Sequence, residues 1–147
     1  PSMGGTGAIV FFSGAGGSRY TIGRHFNRLY EITSDREFLR KALEAFAKSV
    51  EYYQKIGLTS RVAECQWKAA TTYDVLGEHL KAAENFAFAS SNYQKAVEKT
   101  PQLRVLYQDH AFYMQAWAEI ENAKHHHERQ EYNSAKEEFE KAAKIQE

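Results

Sequence analysis

Residues 63–97 read AECQWKAATTYDVLGEHLKAAENFAFASSNYQKAV, in which apolar residues recur at helical period on both sides of Gly77. Ala82, Phe86 and Ala89 place a small residue, an aromatic residue and a second small residue at positions i, i+4 and i+7. Side chains with this spacing lie on one helix face. Small residues let two helices approach closely, and the ring fills the space beside them. The stretch therefore predicts a helical hairpin whose first helix ends at Gly77.

The same spacing recurs before and after this hairpin. Its other copies are Ala42, Phe46 and Ser49, and then Ala135, Phe139 and Ala142. A pattern repeated at this scale is typical of stacked helical hairpins. We therefore predict an all-α fold in which residues 18–147 form three antiparallel hairpins in a superhelical stack.

Local signals set the expected helix boundaries. Ser34 followed by Glu37 reads as a capping box, and Gly57 and Gly77 read as C-terminal stops. Thr100-Pro101 begins a fifth helix, since proline is tolerated at the first helical position. We expect that helix to end near Arg129-Gln130 and a sixth helix to follow.

Residues 1–17 differ in composition from the rest of the chain. Six of the nine glycines lie here, on either side of Ala8-Ile9-Val10-Phe11-Phe12. Glycine-rich flanks are typical of flexible linkers. We predict a flexible tail over residues 1–17 whose apolar segment Ile9, Val10, Phe11 and Phe12 lies in the groove of the helical domain, in the same molecule or in a neighbouring one.

Residues 63–97 resemble a tetratricopeptide repeat. The matching residues are Ala70, Tyr73, Gly77, Ala82, Phe86 and Ala89, and residues 116–147 match less fully through Ala123, Tyr132, Ala135, Phe139 and Ala142. Within that superfamily the long hairpins are similar to the soluble NSF-attachment proteins, through Lys68-Ala69-Ala70, Leu76-Gly77 and the Ala82-to-Ala89 run. Phe11-Phe12-Ser13-Gly14 also resembles the membrane-touching loop of that branch. The resemblance implies a non-enzymatic adaptor, and a lipid contact through Phe11 and Phe12.

Composition narrows the classes of partner. Lys plus Arg equals Asp plus Glu at 19 each, which is not the surplus of positive charge that a general nucleic-acid binder needs. The single cysteine, Cys65, excludes an intrachain disulfide and is expected to be buried as a small hydrophobe. We expect a cytoplasmic protein that binds protein or peptide and no nucleic acid.

Catalytic and cofactor motifs are weak in this sequence. His125-His126-His127 is the clearest metal candidate, with Glu121 and Glu128 nearby, but consecutive helical residues point about 100° apart. The three histidines are therefore expected to be a solvated helix end. The glycines before Ser18 lack the lysine of a phosphate-binding loop. We predict no enzymatic activity, no cofactor and no metal, and keep a metal site around His125 as a secondary alternative.

The leading functional prediction is a scaffold that binds a peptide or helix in a concave groove. Odd-numbered helices line the groove in stacked hairpins of this kind. The candidate contact residues are Asn27, Glu31, Trp67, Thr71, Asp74 and Lys124. Two segments are candidates for self-association: the N-terminal tail, and the last helix with its apolar Phe139, Ala142, Ala143 and Ile145.

Overall fold

The protein is described by a computed structural model that covers residues 4–146, with side chains up to Lys144. Over that range the elements are α1 (Gly5–Thr33), α2 (Glu37–Lys55), α3 (Thr59–Leu76), α4 (His79–Lys99) and α5 (Arg104–Gln146), with a 3₁₀ turn at Pro101–Leu103. The predicted all-α fold is confirmed. Residues 1–3 of the expected tail and the side chain of Ile145 lie outside the described residues.

Consecutive helices pack antiparallel. The Ser90 hydroxyl of α4 donates to the carbonyl oxygen of Ala111 near the start of α5, whereas His79 at the start of α4 contacts Glu121 much later in α5. Side-chain contacts also join α1 to α3, through Asn27 and Thr72, and α3 to α5. The helices α1, α3 and α5 therefore share one side of the molecule, which we call the odd face.

The small and aromatic residues of the first two predicted hairpins form the core. Two sets of three are buried: Ala42, Phe46 and Ser49 on α2, and Ala82, Phe86 and Ala89 on α4. Cys65 is buried as expected, and it lies 3.1 Å from the Ser49 hydroxyl oxygen. The spacing that predicted helix crossings is thus confirmed for residues 37–99.

The third hairpin was predicted wrongly, because α5 is one unbroken helix. No break occurs at Arg129-Gln130, and no glycine or proline lies between Arg104 and Gln146 to cause one. The stretch after Glu119 is rich in Glu, Lys and Ala, which favour helix. From Arg129 to Lys144 every side chain is exposed, including Phe139 at 77%. Ala135 and Ala142 consequently contact no facing helix.

The flexible tail was also predicted wrongly for the described part of residues 1–17. Gly5–Gly17 belongs to α1, and the helix continues without interruption through residue 18. Glycine lowers intrinsic helix propensity, but Gly16 and Gly23 are buried against the rings of Tyr53 and Phe46. Tertiary packing against α2 therefore replaces the stabilisation that propensity does not supply.

The turn glycines follow prediction and the serine cap does not. Gly57 and Gly77 adopt positive φ angles of 67° and 81° after α2 and α3. Ser34, expected to begin α2, instead ends α1 in the left-handed region, with φ of 61°. The amide of Glu37 is bound by the side chain of Asp35 at 3.0 Å, so the predicted capping box does not form.

Candidate functional site

The predicted contact residues lie on the odd face, where adjoining depressions run from α1 to α5. The first depression, of about 510 Å³, lies between α1 and α3 and contains Asn27, Glu31 and Thr71. The second, of about 530 Å³, reaches from Arg24 past Lys68 and Trp67 to α5. Antiparallel packing through α2 and α4 brings these side chains to one surface although they are far apart in sequence.

A smaller pocket at the α3–α5 contact is walled by aromatic rings. Its volume is about 130 Å³, and we call it the aromatic pocket; its lining residues are Trp67, Thr71, Asp74, Phe86, Tyr113, Trp117 and Glu121. Tyr113 lies edge-on to both tryptophans, with centroid distances of 5.9 Å to Trp67 and 6.1 Å to Trp117. Phe86 stacks on Trp117 at 6.1 Å.

Two carboxyl groups line the same pocket and belong to a polar cluster. Glu121 is fully buried, and its Oε2 lies 2.7 Å from Nδ1 of His79. The same imidazole nitrogen lies 3.2 Å from Asp74 Oδ1. Lys124 donates from Nζ to Asp74 at 2.9 Å and reaches Glu121 at 3.4 Å. On the outer side, Nε2 of His79 lies 3.2 Å from Glu128.

The pKa values of the two carboxyl groups, Asp74 and Glu121, are shifted in opposite directions. Burial, together with the proximity of Asp74, raises the pKa of Glu121 despite the hydrogen bond with His79. Burial alone raises the pKa of Asp74 as well, but its hydrogen bonds with Glu121 and Lys124 outweigh burial and leave that pKa lowered. Hydrogen bonding to Asp74 raises the pKa of Lys124. The negative charge of the pair therefore resides first on Asp74, opposite a protonated lysine.

Asp74, His79 and Glu121 also form the one group of three metal-ligand types found within residues 4–144, with ligand atoms within 4.8 Å of one another. Such distances suit a small cation, but the Lys124 ammonium already contacts both carboxyl groups. The alternative around His125 is not supported, because Glu121 and Glu128 both turn to His79. His126 and His127 are exposed as expected, but they lie in the middle of α5 and not at a helix end.

The apolar N-terminal segment does not occupy the odd face. Phe12 packs against Tyr52 of α2, with centroids 6.0 Å apart, and the Lys55 ammonium lies over its ring. Ile9, Val10 and Phe11 are exposed on the outside of α1. The prediction that this segment mimics a groove-bound peptide is wrong for this molecule, since helix formation carries it along α2 instead.

Sequence reasoning found part of the polar cluster. Asp74 and Lys124 were predicted on one face and are joined directly, whereas His79 and the burial of Glu121 were missed. A signal existed, because Glu121 follows Met114 and Ala118 at i+7 and i+3, on the buried stripe of α5. A charged residue on an apolar stripe needs a partner.

Comparison of the chain with protein-family models, with curated proteins and with solved structures finds no match. None of the described helices combines the length and the apolarity that crossing a bilayer requires.

Proposed function

We propose that the protein is a non-enzymatic scaffold that binds a peptide or a helix along the odd face. The observation that carries the proposal is the run of adjoining depressions from Asn27 on α1 to Glu121 on α5. Trp67 and Thr71 each line two of them, so neighbouring depressions adjoin one another. Partly exposed aromatic rings beside such grooves are typical anchors for a protein partner.

The charges along the odd face favour a peptide with a particular polarity. Arg24, Arg28 and Lys68 make the α1 end basic, with Glu31 as the acidic neighbour. Asp74 and Glu121 make the α5 end acidic. An acidic side chain toward α1 and a basic one toward α5 would complement both ends. The resemblance to tetratricopeptide repeats is in line with this use of the groove-lining helices.

Selection from a random peptide library tests the proposal. We expect peptides selected on the immobilised protein to bind in fluorescence anisotropy, and expect R28A/K68A to weaken them. The matched control K95A/K136A also removes two positive charges, from exposed positions that line none of the depressions of the odd face. Equal loss in both double variants, or no enriched peptide at all, would contradict groove binding.

A second candidate rests on the exposed apolar residues at the start of α1. Ile9, Val10 and Phe11 are each more than half exposed, next to the position at which the family resemblance implies a lipid contact. Co-sedimentation with liposomes tests this function. V10S/F11S should lower the bound fraction, whereas F112S, which removes a more exposed ring from α5, should not. Identical sedimentation of all three proteins would exclude it.

A further inference from the structure

We propose that the aromatic pocket binds an alkylammonium group, the end of a lysine side chain carried by the peptide. The inference rests on the proposed function and adds the chemistry of one anchoring position. Trp67, Tyr113 and Trp117 form its walls, and Asp74 and Glu121 lie among its lining groups. Aromatic rings and carboxylates both attract an organic cation, and partial shielding from water inside the pocket strengthens both attractions.

The shape of the pocket suits a compact cation on an alkyl stem. Its volume of about 130 Å³ is too small for a folded peptide segment and larger than a bare metal ion needs. Tyr113 is edge-on to both indoles, so the three rings that line the cavity lie in different planes rather than in one stack. An ammonium group in the cavity would contact more than one of these rings.

The protein already contains one example of the proposed contact. The Lys124 ammonium binds Asp74 at 2.9 Å and Glu121 at 3.4 Å, and its side chain is 41% exposed. Lys124 is not among the residues that line the aromatic pocket, so it approaches the carboxyl groups from outside the cavity. A ligand ammonium would approach Asp74, whose side chain is 32% exposed, from the aromatic side, whereas the fully buried Glu121 would act only through its charge.

The balance of charge leaves room for a second cation. Asp74, Glu121 and Glu128 are the acidic groups of the cluster, and Lys124 is the partner held by the first two. His79 contacts all three acidic groups but carries a charge only when protonated. With the three acids ionised, Lys124 and even a protonated imidazole leave the cluster with a net negative charge beside the rings.

Intrinsic fluorescence provides a direct readout, because Trp67 and Trp117 are the two tryptophans of the chain. We would titrate the full chain with n-butylammonium, tetramethylammonium and methylguanidinium at constant ionic strength. The neutral control is n-pentanol, whose alkyl chain is one carbon longer than that of n-butylammonium and which carries no charge. A saturable spectral change with n-butylammonium or tetramethylammonium supports the proposal. Preference between these two distinguishes an unmodified lysine from a methylated one.

Substitutions at Asp74 and Lys124, with a control at Glu119, separate an effect on ammonium binding from an effect on folding. D74N should weaken ammonium binding about fivefold or more, whereas E119Q, which removes an exposed carboxylate from α5, should leave it unchanged. K124M removes the competing internal cation and should tighten binding, which loss of a merely structural ion pair would not do. Circular dichroism melts confirm that each variant is folded, and Y113L replaces D74N if that variant unfolds.

Several outcomes would overturn the inference. An equal response to n-pentanol would make the pocket merely apolar, and a response to methylguanidinium alone would assign it to arginine. Binding of Zn²⁺ alone, without any ammonium response, would assign the cluster to a metal. The titration uses no peptide, so its failure is distinct from a failure of the library selection, which tests the scaffold function itself.

Discussion

The Ser49 hydroxyl on α2 donates a 2.7 Å hydrogen bond to the backbone carbonyl oxygen of Gly16 on α1. A contact from a short side chain to the backbone of a neighbouring helix requires the two helices to lie very close together. Gly16 and Gly23, seven residues apart on one side of α1, make this approach feasible because neither carries a Cβ. The glycine-rich start of the chain is therefore a packing surface for α2.

Gly23→Ala should destabilise the protein although alanine is the better helix former. An added Cβ would lie 2.5 Å from Cε1 of Phe46, whose ring is fully buried. We expect the overpacking cost of about 1–3 kcal/mol to exceed the propensity gain of about 1 kcal/mol. Gly14→Ala is the matched control, since nothing lies within 4 Å of its added Cβ. Urea unfolding should show lower stability for the first variant and unchanged or higher stability for the second.

Position 82 on α4, which packs against the first half of α5, and position 135 in the second half of α5 should differ in their tolerance of a large charged residue. Ala82→Arg places a guanidinium at a fully buried position against α5 and should cost several kcal/mol, at least about 3 kcal/mol, or abolish folding. Ala135→Arg lies on the exposed part of α5 and should change stability by no more than about 0.5 kcal/mol. Thermal melts followed by circular dichroism compare the two. A collapse of the second variant would show that residues after Glu128 pack against something.

Cys65 should be inert in the folded protein. Its side chain is fully buried, and burial raises its pKa to about 11 despite the hydrogen bond with Ser49. Only about one thiol in a thousand is then ionised at pH 8, and the thiolate is the reactive form. Labelling with a thiol reagent should be slow in buffer and become fast in denaturant.

The control for this experiment is a Ser91→Cys variant, in which the new thiol is exposed on α4. Its labelling should show a fast phase of one equivalent before the slow phase of Cys65. Fast reaction of the unmodified protein would mean that the α2–α3 contact opens readily.

The sequence predicted the helices and turns between residues 37 and 99 because their signals are local. Gly57 and Gly77 were read correctly since only the backbone freedom of glycine is needed to end a helix there. The continuity of α5 through Arg129 was not predicted, because a change in the positions of the apolar residues was interpreted as a helix boundary. Such a change does not by itself break a helix. The tail was predicted wrongly because the glycine content of residues 1–17 indicates only a low intrinsic helix propensity. The packing that stabilises α1 comes from Tyr53 and Phe46 on α2, which cover Gly16 and Gly23.

The candidate site could be predicted only in part, for a related reason. Helical period places Trp67, Thr71 and Asp74 on one side of α3, so their shared surface follows from the sequence. The contact of Asp74 with Lys124 depends on the crossing of α3 and α5, which no local pattern encodes. His79 lies in the first turn of α4, where polar residues are common. Its role becomes visible only from its contact with the buried Glu121, which the local sequence does not indicate.

Glu121→Gln should alter the pH dependence of stability in a defined direction. Because burial and the neighbouring Asp74 raise the pKa of Glu121 above its ordinary value of 4.5, the folded state holds this proton more tightly than the unfolded state does. Stability that depends on the protonated carboxyl is therefore present below pH 4.5 and is lost as the pH rises through the folded-state pKa. Asp74 has the opposite sign, since its pKa is lowered, but both proteins keep Lys124 and a group at position 121 that can donate a hydrogen bond to Asp74. The free energy of unfolding of the parent minus that of E121Q should consequently fall between pH 4 and pH 8, as measured by urea titration in matched buffers.

E119Q measures the effect of removing a surface carboxylate from the same helix, and E121Q should show the larger change with pH. A difference that rises with pH would instead mean that an ionised Glu121 stabilises the fold through His79 and Lys124.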